Sequence, residues 1–347
     1  MFIGIRIGTL LLHFAFLLAN VQGYQSCNFD ERCVRLDMCP NLYHSMNVEG
    51  ISQRQCGANN LASSLGQSVF VCCPEPGNVL PSAKVCGKRP IEYRIYQGED
   101  AYLNDFPWLA MLLYQDRRSL SLNLTNRCGG SLINNRYVVT AAHCVYNEQH
   151  HLTSSYLKSV RLGEYNTATD KDCTYNLAKC NPPHLEIDVE EIICHEDYQK
   201  TIKYENDIAL LRLQTSVRYS VAIRPICILG NHLPSEFFNI ATHFEIAGWG
   251  ATERKESSRV LQKATTMRRP APDCGEWNFS YETQLFAGGQ NESDTGKGDS
   301  GGPLMANMHH FTYLAGITSY GYTGCEYRGV YTKTQPFYHW ILWNLKP

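Results

Sequence analysis

At 347 residues and 44% hydrophobic content, the chain is long enough for one large domain and a smaller companion. Its formal charge of −2 does not suggest a polyanion partner or a basic membrane-binding face. Fifteen cysteines without repeated C-x-x-C pairs point away from zinc and toward an oxidising compartment.

The chain opens with Arg6, an apolar run from Ile7 to Ala19, and the small-x-small stretch Val21-Gln22-Gly23. This pattern predicts a signal peptide over 1–23 and a secreted product beginning near Tyr24. No later stretch reaches the roughly 20 apolar residues that a membrane span needs. Segment 24–76 carries Cys27, Cys33, Cys39, Cys56, Cys72 and Cys73. So short a segment buries little apolar surface, and disulfides are its expected staple. Adjacent Cys72 and Cys73 should each reach upstream, but the residues alone leave the pairing open, and some other small knotted secreted module is the alternative. No carboxylate cluster suggests catalysis here, so binding or regulation is the expected role.

Residues 77–94 follow as a linker, introduced by Pro74-Glu75-Pro76-Gly77-Asn78 and running through Pro81 and Cys86 to Lys88-Arg89 and Arg94-Ile95. A basic residue before an aliphatic one at a domain boundary reads as a processing site after Arg94. From Ile95 onward, short β-rich runs such as Tyr137–Thr140 and Ile208–Leu213 alternate with turn residues, and helical periodicity returns only around Phe337 to Leu345. The pattern predicts an all-β double barrel or sandwich with a terminal helix.

Three stretches supply complementary chemistry. Lys297-Gly298-Asp299-Ser300-Gly301-Gly302 can project a hydroxyl from a glycine turn while leaving backbone N–H groups free for an oxyanion. Thr140-Ala141-Ala142-His143-Cys144 offers a base. Asn206-Asp207-Ile208-Ala209-Leu210 leads a carboxylate into an apolar run, where it needs a hydrogen-bonding partner such as His143.

The order His143, Asp207, Ser300, in the contexts TAAHC, NDIAL and GDSGGP, resembles the chymotrypsin and trypsin family of serine proteases over 95–347. The six-cysteine segment resembles the clip domain of arthropod extracellular serine proteases. The resemblance implies a mainly β, double six-stranded β-barrel with a C-terminal helix, preceded by a disulfide-rich clip domain. It implies His143, Asp207 and Ser300 as the catalytic triad, with the N–H groups of Gly298 and Ser300 as the oxyanion hole. Asp294 would form the floor of a pocket for Arg or Lys, walled by Gly321 and Gly329. Cleavage after Arg94 would free an amino group on Ile95 to pair with Asp299, making the chain a zymogen.

The family's pairing would join Cys27 to Cys72, Cys33 to Cys56 and Cys39 to Cys73 in the clip segment. In the protease segment it would join Cys128 to Cys144, Cys86 to Cys227 and Cys173 to Cys180. The partners implied are a protein substrate that is a downstream zymogen or cytokine precursor, an upstream trypsin-like activator and a serpin inhibitor, in an extracellular cascade of melanisation or Toll signalling. Neither nucleic acid nor membrane is implied. No cofactor is required, although Glu164 and Asn166 resemble the start of the family's calcium loop, the alternative being a solvated surface loop. The alternative function is a non-catalytic or weakly active regulatory protein of the same cascade.

The pattern is broken near the pocket. Cys274 expects a partner where Phe286 stands, and Cys325 expects one where Gly296 stands. With Cys194 these are left over, open to a rearranged bridge or an intermolecular bond. Asn123, Asn278 and Asn291 begin N-glycosylation sequons.

Overall fold

A computed structural model describes residues 27, 31–39, 54–56, 69–74, 77–89, 99–116, 124–146, 155–174, 179–230, 243–250, 257–270, 279–288, 299–308, 310–322 and 328–347. The expected signal segment 1–23, Arg94, Ile95, Asp294, Gly296, Gly298, Cys274, Cys325 and the sequon residues Asn123, Asn278 and Asn291 lie outside the described residues. The chain divides into two compact units, Met1–Glu75 and Pro76–Pro347.

In the first unit, β1 (Glu31–Arg35) pairs antiparallel with β2 (Phe70–Pro74), setting Cys33 opposite Cys72 and Arg32 opposite Cys73. Among the described residues its core cluster is Cys39, Val71 and Cys73, flanked by Val34, Leu36 and Val69. Three disulfides, Cys27–Cys72, Cys33–Cys56 and Cys39–Cys73, hold what that core cannot.

The second unit begins with a short β3 (Glu99–Asp100). Its first barrel is built from β4 (Leu109–Asp116), β5 (Thr125–Leu132), β6 (Tyr137–Thr140), β7 (Ser155–Leu162), β8 (Leu185–Cys194) and β9 (Ala209–Leu213). These close in the order β4-β5-β6-β9-β8-β7. After β10 (Cys227–Ile228), the second barrel uses β11 (His243–Gly248), β12 (Gln262–Arg269), β13 (Gln284–Gly288), β14 (Pro303–Met308), β15 (Phe311–Tyr322) and β16 (Arg328–Lys333). The order β15-β14-β11-β12-β13-β16 is closed by β15 pairing with β16, while β10 adds to β15 and β3 to β12. Closure leaves neither barrel with a long open edge. A short helix, α1 (Tyr338–Asn344), ends the chain.

The barrels meet through apolar strands. Residues Leu109 to Tyr114 of β4 are all buried, on both faces, because one face fills the barrel and the other is covered by the rest of the unit. Trp108, fully buried, donates its indole N–H to Met305 Sδ on β14 at 3.2 Å, joining the two barrels beside the site.

The described part of the linker, 77–89, is a strap laid on the second unit. Asn134 Nδ2 donates to the carbonyls of Gly77 (2.5 Å) and Val79 (3.1 Å). Gly87 N donates to Pro225 O and its carbonyl accepts from Thr312 N, both at 2.9 Å, beside the Cys86–Cys227 disulfide. Arg89 then pairs with Glu245 at 2.5 Å, its guanidinium over the rings of Phe106 and Trp108. Burial alone would raise the Glu245 carboxyl, but the charge and hydrogen bonds of Arg89, with Asn307, hold it below the usual range.

Candidate active site

His143 sits in a single 3-10 turn, Ala142–Cys144, directly after the wholly buried β6. Cys144 in that turn is bridged to Cys128 of β5, so the histidine is fixed to two strands. Asp207 lies just before β9, the neighbour of β6, with no exposed surface. A carboxylate there must be fully hydrogen-bonded. Oδ1 accepts from His143 N at 2.9 Å, and Oδ2 accepts from His143 Nδ1 at 2.7 Å and from the Ser319 hydroxyl. Because the carboxylate only accepts, Nδ1 carries the proton and Nε2 is left with a lone pair. Burial pulls the imidazole pKa down, but the Asp207 charge and hydrogen bond outweigh it and leave it above the ordinary histidine value.

Ser300 occupies the turn before β14, and that turn is tied to both barrels. Gly129 N of β5 donates to Ser300 O at 2.8 Å, Gly301 N donates to Thr318 O of β15 at 2.8 Å, and Thr318 N donates to Gly302 O at 2.9 Å. Gly301 has φ +77° and a Cβ there would lie 2.2 Å from Thr140 Oγ1, so only glycine suits the position. Asp299 turns away from the serine: its Oδ1 accepts from Gly250 N at 2.8 Å. A Cβ on Gly248 would lie 2.0 Å from that carboxylate, and one on Gly250 2.5 Å, so the glycines around Trp249 form its slot.

Of the expected pocket residues, Gly321 and Gly329 are register partners across β15 and β16. Among the described residues a Cβ at Gly321 would meet nothing within 4 Å.

Four residues of the site escaped the sequence reading. Ser319 and Tyr320 stood in the run leading to Gly321, but nothing in the run signalled a bond to Asp207. The Tyr204 ring stands edge-on to His143 at 6.0 Å and stacks on Tyr320 at 4.9 Å and 27°. Burial pushes the Tyr320 hydroxyl up to about 12. Gln284 of β13, buried behind them, donates from Nε2 to Tyr204 O at 3.1 Å.

Among the described residues Cys194 is a free thiol, so it takes no part in a rearranged bridge. Burial, and secondarily the Asp207 charge, push its pKa up and disfavour the thiolate. Cys173 and Cys180 are bridged to each other. Phe286, where a cysteine was expected, stacks on Phe279 with ring centroids at 4.3 Å.

In the loop at Glu164 and Asn166 the side-chain oxygens accept from neighbouring donors. Glu164 Oε2 accepts from Arg161 Nη1 at 3.1 Å and faces His184 Nδ1 at 3.5 Å, while Oε1 accepts from Tyr165 N at 3.0 Å. Asn166 Oδ1 accepts from Ala168 N at 3.1 Å. The neighbouring Asp172 carboxylate accepts from Tyr165 N at 2.9 Å and Thr169 Oγ1 at 2.6 Å. The Glu164 carboxylate is thus paired with a guanidinium.

The family model for trypsin matches residues 95–341. The Spaetzle-processing enzyme of Drosophila melanogaster is 37% identical over 364 positions, covering 92% of this chain and 90% of the relative. Phenoloxidase-activating factor 1 of Holotrichia diomphalia is 34% identical, covering 97% of this chain and 98% of the relative. The crystal structure of the Drosophila Grass clip serine protease of the Toll pathway superposes with a TM-score of 0.61 at 28% identity, over 92% of this chain and 97% of that one. With a double barrel, a disulfide-stapled N-terminal unit and a His–Asp pair beside the serine turn, the chain belongs to the trypsin family of serine proteases, among its clip-domain members.

Proposed function

We propose that the chain is the secreted zymogen of a trypsin-like serine endopeptidase that cuts after Arg or Lys in an extracellular cascade. The observation that carries this reading is the Asp207–His143 pair: a buried carboxylate locks the imidazole tautomer, so that Nε2 can take the Ser300 proton as the hydroxyl oxygen attacks a peptide carbonyl. The imidazolium returns that proton to the leaving amine, and water repeats the sequence on the acyl-enzyme. Gly298 and Ser300 N–H groups hold the oxyanion, where one donor is worth about 3 kcal/mol of barrier. Asp294 selects the cation of the substrate between Gly321 and Gly329.

Activation is cleavage after Arg94, which lets the Ile95 amine reach Asp299 in its glycine slot and orders the oxyanion site. The names of the relatives, a Spaetzle-processing enzyme, a phenoloxidase-activating factor and a Toll-pathway protease, support an extracellular precursor as substrate in Toll signalling or melanisation. An upstream trypsin-like protease and a serpin complete the scheme. Among the described residues, no helix is long and apolar enough to cross a membrane.

The test compares cleaved wild type with cleaved Ser300→Ala on peptides ending in Arg, Lys or Phe. Hydrolysis of Arg and Lys peptides by wild type alone supports the reading. Equal hydrolysis by both proteins moves the chain to the non-catalytic class, and preference for Phe removes the role given to Asp294.

A further inference from the structure

The activation scheme uses Arg94 and leaves the other basic pair of the linker, Lys88-Arg89, without a role. Basic residues in an exposed linker are open to trypsin-like proteases wherever they occur. The fold treats this pair differently. Arg89 Nη1 and Nη2 donate to the two carboxylate oxygens of Glu245 on β11, at 3.3 and 2.5 Å. Nε donates to Thr312 Oγ1 on β15 at 3.2 Å, and Nη2 also reaches Asn307 Oδ1 on β14 at 3.5 Å. Phe106 and Trp108, from the segment before β4, place their rings 4.6 and 5.5 Å from the guanidinium carbon. A fork on a carboxylate, a third donor on a hydroxyl and a flat face over aromatic rings together match arginine and not lysine. The acceptors are set in advance, because Thr312 Oγ1 donates to Asn307 Oδ1 at 2.8 Å and Asn307 Nδ2 donates to Glu245.

The backbone just before this seat is held as firmly. Cys86 is bridged to Cys227, and Gly87 is bonded through its N–H to Pro225 and through its carbonyl to Thr312. Gly87 has φ +66°, and a Cβ there would lie 2.4 Å from Thr312 O. A protease takes the residues around the bond it cuts as an extended strand. A left-handed residue directly before Lys88, fixed on both sides, cannot enter such a cleft until these contacts open. The bond after Arg89 is closed by its own chemistry, since Pro90 follows and its ring replaces the amide hydrogen and crowds the leaving nitrogen. The seat therefore bears on one bond, Lys88–Arg89.

We propose that Glu245, Asn307, Thr312, Phe106 and Trp108 form a guanidinium-binding site filled in cis by Arg89, and that this seating withholds the Lys88–Arg89 bond from trypsin-like proteases, confining processing to the bond after Arg94. The inference rests on the activation reading above for the choice of Arg94. The protection of Lys88–Arg89 stands on the seat alone.

The test uses the uncleaved full-length protein carrying Ser300→Ala, so that any activity of the chain itself plays no part. It is treated with limiting trypsin, reduced, and its N-terminal products ending at Lys88 or at Arg94 are followed by mass spectrometry. With the seat intact, products ending at Arg94 should dominate. Glu245→Gln leaves the linker sequence unchanged and should speed cutting after Lys88 about tenfold, because cleavage follows the population of the opened segment, without changing the rate after Arg94. Arg89→Lys keeps the charge but loses the fork; it should act in the same direction and decides the matter where Glu245→Gln does not fold. The unfolded, reduced and alkylated chain should be cut after both residues. Cutting after Lys88 as fast as after Arg94 in the folded protein, or cutting that neither variant accelerates, overturns the seat. Equal acceleration of both cuts also overturns it, since the whole linker has then been loosened. Sparing of Lys88–Arg89 in the unfolded chain assigns the protection to sequence and overturns the role of the fold. If the folded protein is cut after neither residue, the activation reading fails and cutting after Lys88 in Glu245→Gln alone decides the seat.

Discussion

The two sides of the site are held by different forces. On the first barrel, His143 is fixed by a covalent bridge one residue away and by a carboxylate with no exposed surface. On the second, the strand that approaches the pocket carries Phe286 in place of a cysteine and is held by the Phe279 stack and the Gln284 amide. Under the proposed function the first arrangement would fix a proton-transfer geometry, which tolerates little displacement. The second arrangement, which is non-covalent, would support substrate recognition.

The largest effect expected from breaking this contrast is on the first side. Asp207→Asn should lower kcat/KM by about ten-thousandfold, because the wrong imidazole tautomer would face Ser300. It should also change the pH profile. His143 must be neutral to accept a proton, and Asp207 raises its pKa, so activity falls as pH drops through that raised value. In Asp207→Asn the residual activity should persist to lower pH, as a pH–rate series would show.

Stability separates the two kinds of tie. Phe286→Ala, removing a buried stacked ring, should cost about 4 kcal/mol, and loss of the Cys128–Cys144 bridge about 3 kcal/mol. Denaturant titration gives both values. Only the cysteine variant should impair ester hydrolysis by displacing His143, while Phe286→Ala should act on KM.

A smaller change is expected at the strap. Arg89→Ala leaves the half-buried Glu245 carboxylate without its cation and should cost about 2 kcal/mol near neutral pH. Glu245 has a lowered folded pKa, so the pair's contribution is present above the unfolded carboxylate value and is lost as pH falls through the folded one. Thermal melts of wild type and Arg89→Ala should therefore converge in acid. The smallest effect concerns calcium: with Glu164 engaged by Arg161, millimolar calcium or a chelator should leave the melting temperature unchanged.

Much of this was legible in the residues because the determinants are local. TAAHC, NDIAL and GDSGGP each carry both a reactive group and the small or apolar neighbours that shape its turn, and the alternating strands around them fix two barrels. Gly301 shows why: its conformation is dictated by a contact with Thr140 that only glycine permits. Gln284 was illegible for the opposite reason. Its meaning lies in a carbonyl 80 positions upstream, and an isolated glutamine before an apolar run carries no mark of it. Phe286 was read as a loss, a missing cysteine, because a stacking partner in an irregular segment has no sequence signature. At Glu164 the side chain of Arg161, three residues earlier, engages the carboxylate, a contact that the resemblance to a calcium loop did not signal.

In the proposed scheme His143 and Asp207 on one barrel activate Ser300 on the other only after cleavage following Arg94. Intact-mass spectrometry after treatment with a fluorophosphonate tests this without a peptide substrate. One adduct, mapped to Ser300, is expected on the cleaved protein, and none on the uncleaved chain or on cleaved His143→Ala. Equal labelling of Ser300 in all three would contradict it.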